Sequence, residues 1–393
     1  MAPYLDSLPN SGIVRIRELM YAVDRPFRLD QGDVSFDAPE TMKAAMRAAI
    51  DANQTHYLQT AGLPRLKALL AAKLRARNGV PVAGAEDVLV TNGGVHGIYL
   101  AAQALVEPGD EVIVPDPEWP PATLAMQAAR ASVVRCPLHE PLGWRLDVDE
   151  LASKIGPRTK GLYLNSPNNP TGGVLTRGDL ERIAGLARAH DLWVISDEAY
   201  EDVVYGDARH VSIASLPGMY ERTVPVCTLS KTYAATGVRV GYLAARDERL
   251  RDRMQKLLFL TTSNVSSISQ HGAIGALEGS QAVVEAYRSE LQARRDLFYA
   301  GIGEAAGHVF SGGPPAGAFY AFLRIDPSWT APAAAPPSRS WAMAEFLIGR
   351  GRIGCVPGVD FGPTGEGYVR FCFARDRSEL LGALGEMRAL FTQ

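Results

Sequence analysis

Short apolar runs alternating with helical segments constrain this chain more than any other feature. The runs "DVLVT", "EVIVP", "SVVRC", "GLYLNS", "LWVIS" and "VPVCTLS" follow one another through the first two thirds of the sequence. Segments with apolar residues at helical spacing lie between them, one from about Gly94 and another from about Pro121. A strand apolar along its whole length is buried on both faces, and strands separated by helices pair in parallel. The fold class is therefore α/β: a mostly parallel sheet with helices on both sides, three layers in all. Two further helical patterns precede the first strand. One runs from Thr41 to about Ile50, the other from Leu63 to about Arg77 with Pro64 in its first turn.

After about Gly279 the pattern changes. The long amphipathic stretch "SQAVVEAYRSELQARRDLFYAGI" leads into isolated strand-like pieces, "AFYAFLRI" and "YVRFCFA", with helices between and after them. That order predicts a second, smaller α+β domain. The Pro/Ala-rich "TAPAAAPPSRS" between the two pieces predicts a surface loop. A length of 393 residues with 47% hydrophobic and 21% charged residues accommodates both domains.

Bulk charge excludes some partners. A net charge of -3 favours neither nucleic acid nor an anionic membrane. The N-terminal "MAPYLDSLPNSG" lacks a basic stretch followed by an apolar one, and no apolar run approaches a membrane span, so the expected location is the cytoplasm. Cys136, Cys227, Cys355 and Cys372 form no CxxC pair and have no histidine at ligand spacing, which reads as buried free thiols. The seven histidines form no HExxH pattern, and no metal is expected.

Ligands of open α/β sheets bind at the carboxyl ends of the strands. Two polar corners stand at such ends. "NSPNNPTGG", Asn165 to Gly173, follows "GLYL", and Asp197-Glu198-Ala199-Tyr200 follows "LWVIS". A rigid turn accounts for the first alone, and a helix N-cap and a core aromatic account for Asp197 and Tyr200 alone. Together they point to a site. The segment "TLSKTYAATGVRVGY" is more informative still. Lys231 follows a strand, so its amine faces the crevice, where a desolvated lysine has a lowered pKa and forms Schiff bases with carbonyls. A lone lysine is usually a solvated surface group, but the hydroxyls of Thr228 and Ser230 and the downstream Arg239 make an anion-seeking pocket around this one. "TNGGVHG", Thr91 to Gly97, adds glycines between a strand and a helix, where backbone amides can approach an anion.

These segments resemble the fold-type I pyridoxal-phosphate enzymes, specifically the class I/II aminotransferases of the aspartate aminotransferase superfamily, over nearly the whole chain. "TLSKTYAATGVRVG" fits the family's lysine signature, with Thr228 where Gly or Ser is more common. The resemblance implies a large cofactor-binding domain at 41-285, a small domain at 286-393, and an N-terminal segment 1-40 that joins the small domain and the substrate site. It implies that Lys231 carries pyridoxal 5'-phosphate as a Schiff base, that Asp197 pairs with the pyridine nitrogen, and that Asn169 and Tyr200 bond the phenolic oxygen. Gly93 and the amides of Gly94 and Val95, with Thr228, Ser230 and Arg239, would cradle the phosphate. Trp119 of "DPEWPP" matches the aromatic that stacks on the ring, and Tyr57 of "HYLQTAG" matches a tyrosine reaching a neighbouring subunit's phosphate. The implied assembly is a homodimer with shared active sites. Arg370 of "YVRFCFA" matches the arginine that grips the substrate α-carboxylate, with Gly32 near the same group. Here the likeness loosens, because the family's Gly-x-Pro-x-Phe is replaced by Gly32-Asp33-Val34-Ser35-Phe36.

The activity implied is transfer of the α-amino group of an amino acid to a 2-oxo acid, ping-pong, with Lys231 as general base. The same residues serve lyases and cyclases, and a lyase or cyclase acting on a specialised amino acid is the alternative. A non-catalytic cofactor-sensing regulator is a further one, though it calls for a basic DNA-binding domain. Dicarboxylate-specific relatives use a second arginine. The corresponding stretch "LLFLTTSNVSSISQHGA" is apolar and hydroxylic, which favours a neutral substrate side chain.

Overall fold

The six apolar runs form β1 (Val88–Thr91), β2 (Glu111–Asp116), β3 (Ser132–His139), β5 (Thr159–Asn165), β6 (Trp193–Asp197) and β7 (Thr223–Thr228) of one eight-stranded sheet, which β4 (Arg145–Leu146) and β8 (Gly241–Ala244) complete. The computed structural model describes residues 3–6, 8–9, 11–331 and 336–392. The middle of the expected Pro/Ala-rich loop, 332–335, lies outside the described residues, as do positions 1, 2, 7 and 10 of the N-terminal segment.

The strand order is β1-β8-β7-β6-β5-β2-β3-β4. β3, β2, β5, β6 and β7 run parallel. β8 runs antiparallel to both its neighbours, and β4 runs antiparallel to β3. The reversal at β8 has a local cause. A parallel return is usually made through a crossover helix, whereas the link from β7, Leu229 to Val240, spends its length on the short helical turn Leu229–Thr232 and the tight turn Thr236–Val238 and holds no helix long enough to cross the sheet.

Side chains alternate between two apolar faces, as a doubly covered sheet requires. Leu89, Val112, Val114, Ile195 and Leu243 pack beneath the helices Gly94–Leu105, Pro120–Ala128 and Glu248–Thr262. Val88, Val90, Cys227 and Tyr242 face the helices Pro64–Asn78 and Ser267–Glu278, while Ile113, Leu162 and Val194 face Arg177–Ala189. All four cysteines are buried and free. No helix among the described residues is long and apolar enough to cross a membrane.

A second, antiparallel sheet follows, of β9 (Phe310–Ser311), β10 (Tyr320–Ile325), β11 (Val356–Pro357) and β12 (Tyr368–Cys372), in the order β11-β12-β10-β9. Phe298 and Ile302 of the helix Ala282–Ala306 share its core with Leu347 and Leu380. That helix begins among the large-sheet residues, where Val284 packs, so one rigid rod joins the two cores. The N-terminal segment docks on the small sheet. Ile16 and Met20 of the helix Gly12–Tyr21 enter its core, the Leu29 carbonyl accepts from the Cys372 N–H, and the Ser35 N–H donates to the Ala374 carbonyl.

Candidate active site

β5, β6 and β7 are neighbours, with Asn165 opposite Asp197 and Asp197 opposite Val226. Their polar ends therefore converge. They open on a cavity of about 260 Å³ bounded on the other side by Tyr320 of β10 and Arg370 of β12.

Lys231 is presented by the helical turn that starts at Thr228, whose hydroxyl accepts from the Ser230 N–H. Its Nζ donates to the Gly32 carbonyl at 2.6 Å, which ties the N-terminal segment to the floor of the cavity. Burial pushes the amine down to about 8, against the upward pull of Asp33.

Asp197 is buried at the end of β6. Its Oδ1 accepts from the Ala199 N–H at 3.1 Å and its Oδ2 from the Tyr163 hydroxyl at 2.9 Å. Burial pushes the carboxyl up to about 6, in spite of those hydrogen bonds. The Tyr163 phenol is itself held well above its ordinary value by burial and by the Asp197 charge, so it keeps its proton and acts as the donor.

One flank has the makings of an anion site. The helix Gly94–Leu105 begins at the cavity with Gly94 and Val95, and its first amides point at whatever sits there. Gly93 precedes it with φ +77°, and a Cβ at that position would lie 2.4 Å from Arg239 Nη2. Only glycine leaves the guanidinium room. Thr228 and Ser230 line the same flank, their hydroxyls 2.9 Å apart. Arg239 has a left-handed backbone and is braced by a hydrogen bond from its Nη1 to the Thr236 carbonyl.

The opposite flank is built from two loops tied by one buried carboxyl. Glu118 accepts from the Trp119 N–H at 2.7 Å and from Asn168 Nδ2 at 3.0 Å. Burial and the nearby Asp197 push it well above the usual carboxylate range. Asn169 follows, its N–H held by Asn165 Oδ1. Arg370 is only 2% exposed. Its Nη1 donates to Asn169 Oδ1 at 3.0 Å and its Nη2 to the Asp30 carbonyl at 2.7 Å, and the rings of Tyr320 and Phe361 flank the guanidinium at 4.4 and 5.0 Å. Its buried Nε has no partner among the described residues.

Nearly all the residues expected from the sequence thus meet in one place. Lys231, Asp197, Tyr200, Asn169, Arg370 and Gly32 line the cavity, as do Trp119, Gly94, Val95, Thr228, Ser230 and Arg239. Gly93 sits directly behind. Tyr57 does not join them: it is 89% exposed and lines a separate shallow groove with Thr262 and Asn264. Several contributors were not anticipated. Tyr163 lies two residues before Asn165 on a strand, hence on the same face, a signal open to inspection. Glu118, Ile13 and Tyr320 carried no such signal.

The family description "Aminotransferase class I and II" matches residues 25–385. Among curated proteins, the chain is 35% identical to an aspartate aminotransferase of Pyrococcus abyssi, covering 100% of this chain and 98% of that protein. It is 34% identical to aromatic-amino-acid aminotransferase 2 of Thermococcus litoralis, covering 99% and 97%. Among solved structures, the aspartate aminotransferase of Thermus thermophilus with maleate superposes with a TM-score of 0.90 at 32% identity, over 100% and 99% of the two chains.

Proposed function

Because this chain belongs to the class I and II aminotransferases and is an enzyme of amino-group transfer, we propose that it works with pyridoxal 5'-phosphate bound covalently at Lys231. When bound, that cofactor supplies an electron sink that lets the substrate Cα–H bond ionise. The observation that carries the reading is the pairing of a desolvated Lys231 with a buried Asp197 across one cavity, beside a helix N-terminus and an arginine suited to a phosphate.

The chain's own residues divide the work. The amides of Gly94 and Val95, with Thr228, Ser230 and Arg239, hold the phosphate, and Gly93 leaves space for the arginine. Trp119 covers one face of the ring. Asp197, held by Tyr163 and the Ala199 amide, keeps the pyridine nitrogen protonated, and Asn169 and Tyr200 bond the phenolic oxygen. Arg370 grips the α-carboxylate, its unpartnered Nε fitting a site whose acceptor is a bound anion. Gly32 shapes the wall beside that carboxylate. Lys231 Nζ takes the Cα proton and later returns it.

Among the described residues that line the cavity, the cations are Lys231, Arg239 and Arg370. Each already has a task, so none is left for a distal carboxylate, and Ile13, Trp119 and Ala199 offer apolar contacts instead. The preferred donor therefore has a neutral side chain. The working unit on this reading is a homodimer in which Tyr57 reaches the neighbouring site. Its exposure supports this, as does the apolar pair Phe259 and Leu260, 60% and 72% exposed. The division into 1-40, 41-285 and 286-393 goes with the same reading.

The test is an absorbance spectrum of the cofactor-loaded protein with amino acids added singly, without acceptor. Bleaching of the visible band by a neutral amino acid, and its return with a 2-oxo acid, is the expected result. Ammonia or a cyclised product without an acceptor would move the assignment to the lyase or cyclase reading, which the divergent Gly32 to Phe36 segment favours. A wide preference for aspartate or glutamate would overturn the neutral side chain.

A further inference from the structure

Tyr320 has no role in the reading above, yet its hydroxyl lies 2.7 Å from that of Tyr200. Both phenols are buried, and burial holds both well above their ordinary values, so both keep their protons. Two hydroxyls sharing one hydrogen bond leave one hydrogen free, and which one decides what the pair does. The Arg370 guanidinium stands 4.4 Å from the centre of the Tyr320 ring. A cation over its face makes that phenol the better proton donor. Tyr320 therefore donates, and the hydrogen of Tyr200 is left for the cavity.

We propose that Tyr320 is a positioning residue for amino-group transfer, donating to Tyr200 and so aiming the Tyr200 proton at the oxygen it holds in the cavity. The proposal rests on the cofactor reading above, in which that oxygen is the phenolic one. Two further features support it. A Cβ at Gly32 would lie 2.5 Å from the Tyr320 hydroxyl, so the glycine clears the path by which Tyr320 reaches Tyr200. Tyr320 also stands opposite Cys372 in the register that sets Phe322 opposite Arg370. One side chain thus touches both the residue that grips the substrate carboxylate and the residue that grips the cofactor.

The charged and titratable groups around the pair are Arg370 and Cys372 from β12, Asp33 from the N-terminal segment, Asp197 from β6, and Lys231. None of them forms a hydrogen bond to either hydroxyl among the described residues. The pair is therefore readable by mutation. A hydrogen bond that feeds a second one strengthens it by about 10–30%. Removing the Tyr320 hydroxyl weakens the Tyr200 bond to the oxyanion, leaves that oxygen more basic, and moves its protonation to higher pH.

The experiment is a pH titration of the visible band of the pyridoxal-phosphate-loaded enzyme in four forms: wild type, Tyr320→Phe, Tyr200→Phe and the double variant. Tyr320→Phe keeps the ring beneath Arg370. Its midpoint is expected to rise by roughly a few tenths of a pH unit, with kcat lowered and KM for the amino acid near that of the wild type. Tyr200→Phe shifts further, and the double variant titrates like Tyr200→Phe alone, since the coupling is lost with either partner. An unmoved midpoint in Tyr320→Phe, or an equal shift in both backgrounds, overturns the assignment. A wild type that shows no visible band after loading sinks the cofactor reading, and this assignment with it, whereas a wild-type band that no change of pH moves overturns this assignment alone.

Discussion

Replacing Arg370 by lysine tests the substrate grip most directly, because it keeps the charge and removes the fork. The guanidinium is clamped by Asn169 and the Asp30 carbonyl and sandwiched by two rings, so its orientation is set before any substrate arrives. A planar fork meets a carboxylate with two parallel N–H···O bonds, whereas an ammonium meets it as a point charge. Each hydrogen bond to a charged group contributes about 1.5–3 kcal/mol net. Losing one of the two therefore lowers kcat/KM for the amino donor roughly 10- to 150-fold, since about 1.4 kcal/mol is a factor of ten. The assay compares kcat/KM for an amino acid with that for the corresponding amine lacking the carboxylate, in wild type and Arg370→Lys. The variant loses discrimination between them. If the ratio of the two is unchanged while the variant still binds cofactor, Arg370 does not hold the carboxylate and does not orient the substrate.

Two other outcomes follow from the same geometry. The desolvated Lys231, pushed down to about 8, reacts as the free amine, so capture of pyridoxal phosphate by the apoprotein accelerates with pH and levels off above about 8. A stopped-flow rate still climbing at pH 10, as for a solvated lysine, contradicts that burial. On the homodimer reading proposed above, replacing the exposed pair Phe259 and Leu260 by aspartate is expected to yield monomers with little activity, because it charges an exposed apolar pair that the reading assigns to the interface. Light scattering that finds the variant still dimeric, or the wild type active as a monomer, refutes the shared site.

The parallel strands were legible because a doubly buried strand advertises itself as a continuous apolar run. The helices Glu40–Asp51 and Pro64–Asn78 fall within a residue or so of the boundaries that periodicity and Pro64 predicted. The helix Gly12–Tyr21 was not foreseen, since its burial depends on a small-sheet core assembled mostly from the far end of the chain. The buried pair Lys73 and Glu201, at 2.6 Å, was invisible for the same reason. Neither residue sits in a pattern that announces a partner more than a hundred positions away.

What the sequence determined by itself is the chemistry-bearing inventory: a lysine after one strand, an aspartate after another, an asparagine turn after a third, and glycines before a helix. Those signals are local, because backbone geometry, turn propensity and strand ends depend on near neighbours. Only the tertiary structure decided how the inventory is held. Lys231 rests on Gly32, Arg370 is steered by Asn169 and Asp30, and Tyr200 is met by Tyr320. Each of these contacts closes a loop of more than a hundred residues, and such pairings are specified by how two cores dock, not by any stretch of chain short enough to show a pattern.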